Sequence, residues 1–284
     1  MATVTRPDGA VIHYETWGDG FPLLLIAPGG VSSQIDFWRH TALDPIEEFD
    51  DDFRVIAMDQ RHAGESWQAP PEFSYELATG DQLAVLDAVG AARAHVWGGC
   101  IGVAHLLRLI RAAPERIAAG VGQDPVGLDG TNSLATFTAM FEPTIALARA
   151  EGPAAVVASA EADPLFSRNN AGGPLAPRLR HDPAFRQQIR ALSVDAYVAL
   201  TERLADGYWP DVPPYFTVPE QWIPECSTPL LILPGSDAFH PTSIAERICA
   251  EAPHARCLDL DCRSPAKLPA TIEAIRAFLH EHTP

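Results

Sequence analysis

Lysine is almost missing from this chain: Lys267 stands alone beside 19 arginines, a bias of codon composition rather than of chemistry. The 20 basic residues face 37 acidic ones, which leaves a net charge of −17 at pH 7. A surface so short of positive charge repels phosphate backbones and anionic lipid, so nucleic acid and membranes are excluded as expected partners. Cysteine is also scarce. Five in 284 residues, an odd number, do not make a disulfide framework and favour a reducing cytoplasm. Long apolar runs are lacking too: the longest, around residues 23–27, is far short of the roughly 20 residues of a membrane span. The opening MATVTRPDGAVIHYE has no basic start followed by an apolar core, so no signal peptide is expected. With no C-x-x-C pair, no H-E-x-x-H and no phosphate-binding glycine loop, neither a metal nor any other cofactor is expected. The partners that remain are a small molecule and, among macromolecules, a second copy of the chain.

What is present is an ordinary globular balance, 47% apolar and 20% charged. A chain of this length buries roughly three quarters of its unfolded surface, enough for one large α/β core. Residues 10–17 (AVIHYETW) alternate as a half-buried strand, and Pro7-Asp8-Gly9 turns them back onto residues 3–5. Residues 22–27 and 53–58 are continuous apolar runs, as in strands covered on both faces, with a helical stretch at 33–48 between them. Further on come a helix at 75–89, a strand at 94–98, a helix at 101–113 and a strand at 117–123. This strand–helix rhythm predicts right-handed crossovers and a mostly parallel sheet. It stops at about 127 and resumes at 228–235, followed by a helix near 241–252, a strand at 255–260 and a last helix at 267–281. The interval 127–225 holds helical segments (133–150, 153–161 and 183–206) between proline- and glycine-rich loops. It reads as a helical cap, with residues 1–126 and 226–284 as the core.

The sharpest local signal is Trp97-Gly98-Gly99-Cys100-Ile101-Gly102, a G-x-nucleophile-x-G turn between a strand and a helix, with cysteine where serine is usual. Small residues at Gly98 and Gly102 allow a strained turn that presents the central side chain. Cys100 then stands at a helix N-terminus, which favours a thiolate. The Ile101 N–H is placed to receive charge developing on a substrate oxygen.

With this turn in place, the chain resembles the α/β-hydrolase fold family over residues 9–123 and 226–282. AMDQRHAGES at 57–66 is similar to the family's D-x-R-x-x-G-x-S segment. LLLIAPGGV at 23–31 is similar to its oxyanion loop, with Pro28 in place of the usual histidine, and the resemblance implies Gly30 as the second oxyanion donor beside Ile101. LLILPGSDAFHP at 230–241 is similar to its G-x-x-D-x-x-x-P segment and implies Asp237 as the acid. The implied fold is a mostly parallel twisted sheet flanked by helices, with an inserted helical cap.

The family's order is nucleophile, acid, histidine, and the histidine follows the eighth strand. Here that stretch, 261–267, reads DCRSPAK, and no histidine occurs between His254 and His280. His254 precedes the eighth strand, and His280 and His282 read as a solvated helix end. His240, three residues after Asp237 on a loop at the active edge, is the first candidate base, and His62 after the fourth strand is the alternative. His105 reads as packed. Asp124, ending the sixth strand, could enter the site. Phe37, Trp38, Tyr208, Trp209 and Trp222 could line a pocket under the cap. Arg178, Arg180, Arg186 and Arg190 could greet a carboxylate, although a solvated helix face explains them better.

The leading expectation is a cofactor-free hydrolase that uses Cys100 on an activated acyl carbon: an ester, thioester, lactone or β-dicarbonyl carbon–carbon bond. Cysteine depends less than serine on a general base, which suits a site short of its usual histidine. Two alternatives stay open: a lyase or isomerase without an acyl-enzyme, and a ligand-binding protein that has lost turnover.

Overall fold

A computed structural model describes residues 2–162, 172–258 and 264–284. In it the β-rich runs form one eight-stranded sheet: β1 Ala2–Thr5, β2 Val11–Trp17, β3 Phe21–Ile26, β4 Phe53–Met58, β5 Ala94–Gly99, β6 Ile117–Gln123, β7 Leu230–Leu233 and β8 Ala255–Cys257. The order across the sheet is β1-β2-β4-β3-β5-β6-β7-β8. The β1–β2 and β2–β4 ladders are antiparallel, and all the others are parallel. Pro7-Asp8-Gly9 closes the first hairpin, with Gly9 at φ 86° and the Asp8 carboxylate accepting the Ala10 N–H.

Successive strand residues face opposite sides of a sheet, so continuous apolar runs imply two buried faces. That is how they are used. Leu24, Ile26, Ile56, Val96, Leu230 and Ile232 point into one core, while Leu23, Leu25, Val55, Trp97, Leu231 and Leu233 point into another. Helices cover both faces. In chain order they are α1 Ile35–Trp38, α2 Pro45–Phe49, α3 Tyr75–Ala88, α4 Ile101–Ala112, α5 Leu134–Thr138, α6 Glu142–Glu151, α7 Pro153–Ala162, α8 Ala176–His181, α9 Pro183–Arg190, α10 Val194–Tyr208, α11 Thr242–Glu251 and α12 Leu268–Glu281. The first core is closed by α3, α4 and α11, and the second by α2 and α12. Helices α5 to α10 all fall between β6 and β7, and their apolar residues form a third cluster that joins Val31, Tyr75 and Ile101 of the sheet layer. Among the described residues no helix is long and apolar enough to cross a membrane.

Three expectations are corrected. The helical stretch expected at 33–48 is two short helices, because Asp44 caps a new one that starts at Pro45. Strand β8 ends at Cys257 rather than 260 as far as the described residues go. The cysteines are not all free thiols: Cys249 of α11 and Cys257 of β8 form a disulfide with Cα atoms 5.8 Å apart. Cys262 lies outside the described residues.

The parallel strands β3, β5, β6 and β7 bring their carboxyl ends to one edge of the sheet. Such edges, where loops leave adjacent strands, are where open α/β sheets bind ligands. All four loops supply residues to a single cavity there.

Candidate active site

The turn between β5 and α4 places Cys100 at φ 53° and ψ −117°. A non-glycine residue is held in such a conformation at a cost of about 1–3 kcal/mol, so its surroundings must enforce it. They do so through backbone contacts. The Cys100 N–H donates to the Gln123 carbonyl at 2.9 Å, and the Cys100 carbonyl accepts the Val103 N–H at 3.0 Å. A Cβ at Gly98 would run into the Gly102 carbonyl, and one at Gly102 into the Ile26 carbonyl, so only glycine lets the turn close this tightly. No side chain caps the first turn of α4.

Asp237 and His240 come from one loop, between β7 and α11. The His240 Nδ1–H donates to Asp237 Oδ1 at 2.7 Å, and the same oxygen accepts the N–H groups of Phe239 at 2.9 Å and His240 at 3.1 Å. The Thr242 hydroxyl closes the loop onto the Gly235 carbonyl at 2.8 Å. From the far side, the Asn132 amide donates to the Ala238 carbonyl at 2.8 Å and to the Gly127 carbonyl at 2.9 Å, tying the loop to the chain that leaves β6.

Electrostatics couple this loop to the turn. Burial alone would disfavour a charged His240, but hydrogen bonding and charge from Cys100, then from Asp237, overcome it and raise the imidazole to about 9. Burial likewise works against ionised Asp237, yet the His240 ring and the two backbone N–H groups hold its carboxyl below the usual range. His240 Nε2 is buried without a nitrogen or oxygen partner.

Folded His240 therefore keeps its proton more firmly than the unfolded chain, where the ordinary value is 6.5. The stabilisation this provides is complete below about pH 6.5 and is lost as the pH rises through about 9. Urea unfolding followed across this window should show that loss in the wild-type chain. In Cys100→Ala the loss should be smaller and end at lower pH, because one of the two groups that hold the proton is gone.

The cavity at this edge encloses about 400 Å³, within the usual range for small-molecule sites. Pro28, Gly29 and Gly30 line it from the loop after β3, Phe37 and Thr41 from and beyond α1, and Gln123, Asp124 and Val126 from the end of β6. Met140, Trp209 and Phe239 close the opposite side. Trp209 packs on Phe137 with ring centroids 4.8 Å apart, and Phe239 meets the same ring edge-on at 5.5 Å. Among the described residues no group of three His, Cys, Asp or Glu side chains is placed to hold a metal ion.

The family profile for the alpha/beta hydrolase fold matches residues 22–263. The chain belongs to the alpha/beta hydrolase fold family. Among curated relatives of this α/β hydrolase, a zearalenone hydrolase of Cladophialophora bantiana is 30% identical over 125 residues, 42% of this chain and 45% of that protein. A putative carbamate hydrolase of Azorhizobium caulinodans is 38% identical over 109 residues, 38% of either chain. The chain thus matches about half or less of the length of these relatives. Solved structures share the fold over nearly the whole length. A meta-cleavage product hydrolase of Pseudomonas fluorescens superposes with a TM-score of 0.65 at 17% identity, covering 100% of this chain and 98% of that one. An enol-lactonase of Burkholderia xenovorans gives 0.61 at 20% identity, covering 96% and 98%.

In this α/β hydrolase Cys100, His240, Asp124, Gly30, Phe37 and Trp209 all reach the cavity wall, and Asp237 stands behind His240. Ile101 follows Cys100 with its side chain fully buried. Four expected contacts lie elsewhere. Trp38 is 0% exposed and stacks edge-on against Trp97 in the core beneath. His62 is buried at φ 73°, with one ring nitrogen 2.6 Å from the Pro70 carbonyl and the other 3.1 Å from the Tyr208 hydroxyl. Burial pushes its imidazole down to about 4. His62 thus joins the sheet layer to α10 and does not face the cavity. Tyr208 and Trp222 are likewise absent from the cavity wall. His105 is buried against the Gln82 amide at 3.0 Å. Of the arginines, Arg178 pairs with Asp182 and covers the Phe185 ring, while Arg186 and Arg190 share Glu161. Gln123, Thr41, Met140 and Asn132 are additional site residues that carry no pattern in the sequence. Only the position of Gln123, next to Asp124 at the end of a strand, could have pointed to it.

Proposed function

We propose that the chain is a cofactor-free hydrolase acting on an activated acyl carbon of a small molecule, an ester, thioester, lactone or β-dicarbonyl compound, through Cys100. The observation that carries this reading is the Asp237–His240 pair, bound at 2.7 Å on one loop, whose imidazole is coupled to Cys100 across the cavity. The hydrolase names of the curated relatives support it.

The attacking group is the Cys100 thiolate, its proton held on His240. Sulfur adds to the acyl carbon, and the carbonyl electron pair moves onto oxygen. The backbone N–H groups of Gly30 and Ile101 receive that oxyanion, each such donor being worth about 2.7–4 kcal/mol of barrier. As the intermediate collapses, the leaving group takes the proton from His240 Nε2 and departs neutral, leaving a thioester on Cys100. The sulfur no longer carries charge, so one of the two groups that held the His240 proton is gone. The neutral ring then removes a proton from water, and the resulting hydroxide adds to the thioester. The second collapse expels the Cys100 thiolate beside a protonated His240, which is the starting state. Asp237 fixes the ring throughout by accepting the Nδ1–H. The helices α5 to α10 serve as the cap expected over 127–225, of which 163–171 lie outside the described residues, with Met140 and Trp209 bounding the acyl group.

Incubation with 4-nitrophenyl butyrate in ¹⁸O-labelled water tests the reading. Release of 4-nitrophenol with one labelled oxygen in the butyrate is expected. If neither this ester nor a phenyl thioester is turned over, or if the acid carries no label, the hydrolase reading is wrong.

A further inference from the structure

One polar group on the cavity wall has no part in this chemistry. Gln123 ends β6, paired with Gly99 in the β5–β6 ladder, and its backbone carbonyl holds the Cys100 N–H. Gln123 is on the cavity wall although it is only 8% exposed, and its side-chain Oε1 is buried with no hydrogen-bond partner. Buried amide oxygens are nearly always paired. A ligand that offers a donor to this oxygen is therefore favoured over one that leaves it empty, because the empty acceptor has lost its water and gained nothing. The rest of the wall narrows the ligand further. Among the described residues no arginine or lysine reaches the cavity, and the Asp124 carboxylate stands beside Gln123. An anionic group would meet the Asp124 carboxylate, and the one positive group among the described lining residues, the His240 ring, is already engaged by Asp237.

We propose that Gln123 is a specificity-determining residue, its side-chain oxygen accepting a hydrogen bond from a hydroxyl or N–H group of an uncharged acyl compound, close to the carbonyl that Cys100 attacks. The reference to attack rests on the hydrolase reading. The binding preference stands without it.

Binding to the Cys100→Ala protein separates the two. The probes are the phenyl esters of 2-, 3- and 4-hydroxybenzoic acid, their methoxy counterparts, and monophenyl isophthalate as the anion, titrated by calorimetry. At least one hydroxy ester should bind about tenfold tighter than its methoxy partner, the worth of one neutral hydrogen bond. The anion should bind weakest. Adding Gln123→Met should bring the hydroxy-to-methoxy ratio close to one, and Gln123→Glu, which keeps an acceptor, should restore the preference. Equal affinities in Cys100→Ala, a preference that survives Gln123→Met, or no binding by any probe would overturn the proposal. The first of these outcomes decides even if Gln123→Met does not fold. Should the preference hold while the wild-type chain releases no phenol, the hydrolase reading falls and this one remains.

Discussion

Cys100→Ala should lose turnover by about 10⁴-fold or more, since removing the nucleophile of such a unit costs about as much as removing the whole unit. Its fold should survive, because the turn is held by backbone contacts of residue 100 and by the tight approaches at Gly98 and Gly102, none of which involves the sulfur. Alanine also relieves none of the strain at φ 53°, so unfolding should shift little from this cause. Thiol labelling gives an independent reading. Cys249 and Cys257 are joined to each other, and burial pushes the Cys226 thiol up. At neutral pH iodoacetamide should therefore modify Cys100 well before Cys226. If Cys226 reacts first, or Cys100→Ala keeps its rate, the nucleophile is some other group.

His240→Ala should stop the reaction half-way. The first half needs an attacking sulfur and a proton for the leaving group, and a good leaving group such as 4-nitrophenolate departs without one. The second half needs a base to activate water, a contribution of about 10²–10⁴-fold. With 4-nitrophenyl esters the variant should show a burst of one equivalent of 4-nitrophenol and then nearly stop. Intact-protein mass spectrometry should find the acyl group on Cys100. A steady rate close to wild type, without adduct, would remove His240 from the mechanism. His62→Ala should leave no adduct, because its ring is held between Pro70 and Tyr208, away from the cavity. Its effect should appear as lost stability instead.

The parts of the site that could be read from the chain are those where geometry forces a residue type. A strand-to-helix turn this tight admits only glycine at 98 and 102, so the turn around Cys100 shows in the letters. Asp237 and His240 could be read together because only Ala238 and Phe239 separate them on one loop. What was hidden depends on how distant segments meet. Trp38 and His62 follow strands at the active edge, as cavity residues do, but each then turns inward: Trp38 onto Trp97, and His62 toward Pro70. Met140 and Thr41 reach the cavity only through the packing of helical segments, which leaves no spacing rule. The Cys249–Cys257 link depends on how α11 lies against the edge strand β8, and eight residues of separation do not specify that.

Asp237 and His240 share one short loop, whereas the family resemblance would set acid and base on the two sides of α11 and β8. The distance between them is fixed by three peptide units and by a single carboxylate oxygen that gathers three donors. Nothing beyond β7 has to hold register for the pair to form. On the proposed mechanism, a shift of α12 or of the edge strand would loosen the fold without separating Asp237 from His240. The two side chains can travel as a cassette, and the loop residues 235–241 become a segment that could be transplanted whole behind another strand end facing a nucleophile.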